Sequence, residues 1–336
     1  MTSSKSIANL QALRAIAATL VIFQHIKIVT IGSFGVDIFF VISGFVIAYV
    51  SVSEKPGVFV LKRLFRIVPL YWLGTLAVFA VAGVAPSLVN STTTSVVDLA
   101  RSLFFIPYVK GNGLTHPVLF LGWTLNYEVL FYAIFAFALT LGSKAAPVIA
   151  TVLISAMVLI GLMFPVSAEP FAFWTQPITL EFLFGVWIFV GWHKGIRLPI
   201  APELAIAIGA ALLLLMGWEQ TKASFDWIEP LSFGVPAAAI VVLALSCEGR
   251  IKVPAIVLAI GDASYSLYLF HPYLVVPAQK IVTHFTQSPV VMIVAIPFMV
   301  AAAIGCALLS YRIIERPSNA WLRATFMTPS ARAVAA

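Results

Sequence analysis

The chain has 336 residues, 61% of them hydrophobic and only 10% charged, with a mean hydropathy of +1.04. Soluble domains carry about 25% charged residues, so this composition excludes an ordinary soluble enzyme and predicts a polytopic membrane protein. The net charge of +7 fits basic cytoplasmic loops better than a nucleic-acid partner, and no nucleic acid is expected.

Apolar windows of about 17–25 residues mark the spans. They fall near 7–29, 33–51, 67–85, 119–141, 145–164, 175–192, 199–217, 229–247, 254–283 and 288–313. The expected fold is therefore an all-α polytopic membrane protein of about ten transmembrane helices. The ninth window is too long for one straight span, and Pro272 and Pro277 predict a kink or an early end. The longest connection runs from Pro86 to Leu119 and contains an expected half-buried segment, Val96 to Tyr108. Cys247 and Cys306 have no metal-ligand spacing and read as inert core residues; no metal is expected. The N-terminus lacks a small-residue cleavage site, which predicts a retained first span rather than a signal peptide.

Charge distribution predicts orientation. With the N-terminus inside and ten alternating spans, fourteen lysines and arginines, including Lys5 and Arg332, lie on the inner side. Five lie outside (Lys27, Arg101, Lys110, Lys222 and Lys280), and Arg14 is set aside within a span. This asymmetry places both termini in the cytoplasm. The outer loops carry Asp98, Glu169, Glu219, Asp226 and Glu229.

The first span, Asn9 to Ile28, carries Arg14 and His25 among apolar residues. An ionisable group in hydrocarbon is costly unless it faces a partner or a wet cavity. Eleven residues make about three turns, which puts both side chains on one face roughly 16 Å apart. Ala18 and Val21 lie between them, as the small-sided wall of a pore or cleft. In this topology His25 lies towards the outer end of its span. Glu128, Glu181 and His271 belong to other helices at similar depth.

LKRLFRI places Arg63 and Arg66 three residues apart, on the cytoplasmic loop just before the third span. On a helix they share a face and can grip a phosphate or pyrophosphate; an ordinary positive-inside anchor is the alternative. FGVDIFFVISGFV opens the second span with Asp37, suited to a helix N-terminus, then Ser43 and Gly44, which permit close helix approach. GWTLNYEVLFY buries Glu128 among aromatics, where a carboxylate must find a partner or keep its proton. It could orient His25 or transfer a proton itself. GDASYSLYLFHPYL sets Ser264, Tyr268 and His271 on one helix face. That stripe suits a sugar or water, or serves as interhelical hydrogen-bonding glue.

Taken together, LRAIAATLVIFQH, FGVDIFFVISGF, RLFR, WTLNYEVLFY, SYSLYLFHPYL and a closing IERP resemble the acyltransferase 3 family of integral membrane acyltransferases. The resemblance spans nearly the whole chain, implying an acyltransferase membrane domain over 1–317 and a short cytoplasmic tail over 318–336. It implies a ten-helix enzyme of the bacterial inner membrane. Such an enzyme moves an acetyl or other acyl group from cytosolic acyl-CoA to a sugar hydroxyl of a surface polysaccharide or a lipid-linked precursor. His25, Glu128 and Arg14 become the catalytic candidates, Arg63 and Arg66 the acetyl-CoA-binding pair. Asp37, Ser43, Trp123, Ser264, Tyr268 and His271 form the expected substrate-binding set. Expected partners are acyl-CoA, the sugar acceptor, membrane lipids and separate polysaccharide-assembly proteins.

Trp123-Thr124-Leu125 departs from the Trp-Ser-Leu of many members, and Asn126-Tyr127-Glu128 resembles the standalone exopolysaccharide acetyltransferases of the family. An additional C-terminal SGNH domain, common in members acting on O-antigen, is not expected here; a separate protein could provide one. His25 could act as a general base or carry the acyl group covalently. Two other classes fit ten spans with buried ionisable groups: a secondary transporter with an intramembrane proton relay, and a non-catalytic polysaccharide assembly or flipping component.

Overall fold

A computed structural model describes residues 7–86, 94–111, 113–164, 166–222 and 229–327. Lys5, Asp226 and Arg332, and the tail from 328 onward, lie outside the described residues. Among the described residues the elements are all helical: α1 (Ala8–Gln24), α2 (Gly35–Ser51), α3 (Pro56–Val84), α4 (Val96–Leu103), α5 (Trp123–Thr140), α6 (Ala146–Met163), α7 (Phe171–Trp174), α8 (Leu180–His193), α9 (Pro202–Thr221), α10 (Val235–Ser246), α11 (Ala255–Asp262), α12 (Ser264–Phe270), α13 (Pro272–Phe285), α14 (Pro289–Ser310) and α15 (Arg316–Phe326). Several of these helices carry proline in their first turn, where its missing N–H costs no intrahelical bond.

Among the described residues, five helical stretches are long and apolar enough to cross a bilayer: Pro56–Val84, Phe120–Thr140, Ala146–Met163, Pro202–Thr221 and Pro289–Phe326. Ala8–Gln24, Gly35–Ser51, Pro177–His193 and Pro230–Ser246 are shorter apolar helices. The expected ninth span is broken into α11, α12 and α13, with the interruptions at Ala263 and His271. Pro272 starts α13, whereas Pro277 sits inside it without ending it. Exposed apolar side chains such as Leu204, Leu214, Val290, Val294 and Phe298 line α9 and α14, as expected of surfaces meeting lipid.

Some expectations need correction. α3 begins at Pro56 rather than near residue 67, so Arg63 and Arg66 are helical and not in a loop. Leu, Lys and Arg are good helix formers, and the helix therefore continues beyond the apolar window. Cys306 is exposed on α14, while Cys247 is buried.

The chain divides into two compact units, Met1–Val46 with Phe184–Arg316, and Ile47–Leu183 with Pro317–Ala336. In the first, α1 is central. Ala18, Ile22 and Ile26 pack with Leu267, Val275, Ala303 and Ala307 in a buried cluster. Ala18 and Val21 are almost fully enclosed, so the stripe between Arg14 and His25 is packed core rather than an open wall. α1 meets α11 and α12 in parallel, with Gln11 beside Gly261, Arg14 beside Ser264 and His25 beside His271. A Cβ on Gly261 would lie 2.3 Å from the Gln11 carbonyl oxygen, so this close approach requires glycine. The amides of Ala8 and Asn9 donate to the two carboxylate oxygens of Glu248, each at 2.9 Å, placing negative charge at the helix N-terminus where it is stabilising.

In the second unit, Phe59 of α3 packs on Tyr132 and Phe135 of α5, at 6.4 and 6.1 Å between ring centroids. The Tyr71 hydroxyl donates to the Ser102 carbonyl at 3.1 Å, tying α3 to the end of α4. Phe131 stacks on Phe182 at 4.7 Å.

Candidate functional site

His25 caps the C-terminus of α1, its backbone N–H returning to the Ile22 carbonyl and that of Ile26 to Phe23. The chain then turns through Thr30 and Gly32, both at positive φ. Gly32 also lies against Leu20, whose carbonyl oxygen would be 2.0 Å from an added Cβ. Two glutamines from apolar helices hold this turn. Gln279 of α13 donates to the His25 carbonyl at 2.7 Å and accepts from the Lys27 amide at 2.8 Å. Gln220 of α9 donates to Gln24 at 2.6 Å and accepts from the Gly32 amide at 2.8 Å. The backbone carrying His25 is thus fixed by side chains from two other helices.

The ring of His25 is fixed as well, and its partners determine where its protons sit. Nδ1 of His271 faces the carbonyl oxygens of Leu267 and Tyr268, at 3.0 and 2.9 Å. Carbonyl oxygens only accept, so this nitrogen carries the proton and Nε2 holds the lone pair. His271 Nε2 lies 3.1 Å from Nδ1 of His25, which also sits 3.0 Å from the Val21 carbonyl. With acceptors on both sides, Nδ1 of His25 is the protonated nitrogen. The lone pair of neutral His25 therefore resides on Nε2. His271 is 1% exposed, whereas His25 is half-buried. The inner imidazole orients the outer one.

One turn inside the other end of the same contact, Arg14 donates from Nη2 to the Ser264 hydroxyl at 2.8 Å and from Nη1 to Gln11 at 3.1 Å. Eleven helical residues rise about 16 Å and seven rise about 10 Å, a difference spanned by the arginine side chain. Ser266 donates to Glu315 at 2.7 Å, so the hydroxyl-rich stripe also anchors the glutamate of the closing IERP. Tyr268 is buried against Phe39, 6.0 Å between centroids. Asp37 is buried in the first turn of α2. Gly44 lies where α2 meets α8, and a Cβ on Gly185 would come within 2.0 Å of the Val41 carbonyl oxygen. Small residues at this crossing permit close backbone approach, as expected.

The second unit gathers a different chemistry. Arg63 is 7% exposed, and its Nε is buried without a hydrogen-bond partner among the described residues. Arg66 lies one turn on. Lys62 and Glu54 form an ion pair at 2.8 Å. Tyr132 donates to Glu128 across one turn of α5 and lies within electrostatic reach of both arginines. Glu128 and the arginine pair thus share a neighbourhood through Tyr132. Trp123 packs against Tyr127 at 6.1 Å and His116 at 6.5 Å, and Tyr127 stacks on Phe173 at 4.1 Å.

The expected residues therefore separate into a histidine–arginine group in the first unit and an arginine–carboxylate group in the second. Gln220, Gln279, Tyr132, Glu248 and Glu315 escaped the sequence reading. Glutamines within strongly apolar helices were the available signal for the first two, since an amide at that depth requires partners.

An acyltransferase-domain model of the acyltransferase 3 family matches residues 7–312. The chain is similar to an exopolysaccharide production protein, ExoZ, of Rhizobium meliloti (strain 1021). The two are 35% identical over 298 residues, covering 86% of this chain and 90% of that protein. It is also similar to the acyltransferase MdmB of Streptomyces mycarofaciens, 28% identical over 288 residues, covering 73% and 69% respectively. No solved structure matches the chain.

Proposed function

The chain belongs to the acyltransferase 3 family, and from that premise we propose that it transfers an acetyl group from acetyl-CoA to a sugar hydroxyl of a bacterial surface polysaccharide or its lipid-linked precursor. It is an acyltransferase of a helical membrane protein family; donor, acceptor and residue roles are the proposal. The observation that carries the mechanism is the hydrogen bonding of His25 Nδ1 to His271 and Val21, which leaves the lone pair of neutral His25 on Nε2. That nitrogen removes the proton from the acceptor hydroxyl as its oxygen attacks the thioester carbonyl. The C–O bond forms, the C–S bond breaks, and the proton passes from His25 to the departing CoA thiolate. Imidazole suits this exchange because its unperturbed pKa lies near neutrality. As His25 becomes imidazolium, the hydrogen bond from its Nδ1 to His271 gains charge assistance.

Arg63 and Arg66 hold the CoA phosphates. A buried guanidinium with an unpartnered Nε fits an anionic ligand, because a buried donor is costly to leave unsatisfied. Arg14 positions the thioester or stabilises developing charge. Glu128 is the catalytic carboxylate of the donor side, oriented by Tyr132. Trp123, with Asp37, Ser43, Ser264 and Tyr268, is assigned to the acceptor side. Identity to ExoZ across most of both chains favours an exopolysaccharide acceptor.

The same proposal places ten spans in the inner membrane with both termini cytoplasmic. The loop charges support it, as does the parallel packing of α1 with α11 and α12, which ten alternating spans require of the first and ninth. The membrane domain runs to about residue 317, with a short cytoplasmic tail beyond it.

The test is acetyl transfer by purified protein in nanodiscs, with the acetylated polysaccharide read by mass spectrometry. His25→Ala should abolish transfer while the protein remains folded. Transfer at the wild-type rate would reject the assignment. A secondary transporter, the rival class, would bind no acetyl-CoA. Saturable binding that is lost in Arg63→Ala/Arg66→Ala separates the two.

A further inference from the structure

We infer that Arg323, on α15, completes the phosphate-binding site begun by Arg63 and Arg66, and that α15 belongs to the donor site rather than to an inert tail. The inference rests on the reading that the arginine pair holds CoA phosphates.

Packing brings α15 to this place. Phe326 contacts Phe65, with ring centroids 6.0 Å apart, and Phe65 stands between Arg63 and Arg66 in sequence. Trp321 meets Phe326 from the same helix at 6.4 Å. Arg323 is one turn before Phe326, on the adjoining face. The charges acting on Arg63 include Arg66, Glu54 and Arg323; those acting on Arg323 are Arg66 and Glu54.

The charges do not balance within the protein. Three guanidiniums and Lys62 face two carboxylates: Glu54, whose Oε1 is engaged by Lys62, and Glu128, which reaches the arginines only through Tyr132. Nε of Arg323, like Nε of Arg63, is buried and has no hydrogen-bond partner among the described residues. Like charges held together where water reaches them only in part oppose folding unless a counter-charge enters. A ligand bearing several phosphates supplies it, and coenzyme A carries a pyrophosphate and a further phosphate on its ribose. Guanidinium forks suit such oxygens better than lysines do.

An anionic lipid headgroup offers the same phosphate chemistry, so acetyl-CoA binding is measured in nanodiscs of zwitterionic phosphatidylcholine. The proteins compared are the wild type, Arg323→Gln, Arg323→Lys and Arg63→Ala/Arg66→Ala. Losing a charge-assisted contact should weaken binding about tenfold or more in Arg323→Gln, with partial recovery in Arg323→Lys and, without ligand, a melting temperature no lower than that of wild type. The double variant should lose saturable binding. If Arg323→Gln binds within about twofold of wild type while the double variant does not bind, the third-arginine assignment is overturned and the donor reading stands. If the double variant also binds normally, the donor reading itself fails. Should Arg323→Gln fail to fold, Arg323→Lys decides: affinity intermediate between wild type and the double variant supports the inference, and wild-type affinity rejects it.

Discussion

His271 presents Nε2 to Nδ1 of His25 at 3.1 Å, and the two rings meet at 66° with centroids 4.9 Å apart. The backbone carbonyls behind His271 force its proton onto the far nitrogen. A neutral imidazole thereby orients a second one, in the position that a carboxylate occupies in many catalytic dyads. His271 acts through His25, so its loss should lower turnover without weakening acetyl-CoA binding. His271→Phe should reduce kcat by about a hundredfold, the lower end of what general-base catalysis provides. His271→Gln, which retains an acceptor, should recover part of it and move the pH–rate profile. Equal kcat in His271→Phe and wild type would remove His271 from the mechanism.

Arg14 bridges Gln11 and Ser264 through different nitrogens of one planar fork. Lysine keeps the charge but cannot reproduce that geometry. Arg14→Lys should therefore impair transfer nearly as severely as Arg14→Ala. Ser264→Ala should cost about 1.5–3 kcal/mol of the same interaction, the range for hydrogen bonds to charged groups. A double-mutant cycle on kcat/KM checks this. Additive effects of Arg14→Ala and Ser264→Ala would show that the bond has no catalytic role.

The contact between α1 and α11 depends on Gly261 lacking a side chain. Gly261→Ala would drive a methyl into the Gln11 backbone, and separating the helices should destabilise the protein by about 1–3 kcal/mol. Gly209 on α9 has nothing within 4 Å of an added Cβ, so Gly209→Ala should be neutral or stabilising, with up to about 1 kcal/mol from helix propensity. Thermal unfolding in detergent compares the two. Similar melting temperatures would refute the proposed importance of this close approach.

The helical architecture was legible because hydrocarbon requires backbone hydrogen bonds to close within each helix, leaving apolar length as a direct guide. That Arg14, His25 and His271 would meet polar partners was legible for the complementary reason that ionisable groups among apolar residues require them. Which partners they would meet was not. The contact between His25 and His271 depends on parallel packing across 246 residues of sequence, and no local pattern records it. The beginning of α3 was misplaced because an apolar window ends where charge begins, whereas the helix continues through Arg63 and Arg66. The involvement of Arg323 was hidden by the ordinary look of a basic residue after the last span. It emerges only when Phe326 is seen against Phe65.

His116 supplies a pH-dependent prediction outside the spans. Burial, followed by the neighbouring Lys110, holds its imidazole pKa below the usual 6.5, and its buried Nδ1 has no hydrogen-bond partner among the described residues. The folded protein therefore resists protonation at this ring, whereas the unfolded chain accepts a proton at about pH 6.5. Between the folded and unfolded values the unfolded state binds more protons, so stability rises with pH. The contribution is complete above about pH 6.5, declines as pH falls, and levels off below the folded-state value. His116→Phe removes the titrating group while preserving contact with Phe120 and Trp123, 6.2 and 6.5 Å from the native ring. Its melting temperature should fall less than that of wild type between pH 7.5 and pH 5.5, a window of about one unit on either side of the unfolded value. Parallel pH dependence in the two proteins would mean that His116 titrates alike folded and unfolded, and would exclude it as a source of acid sensitivity.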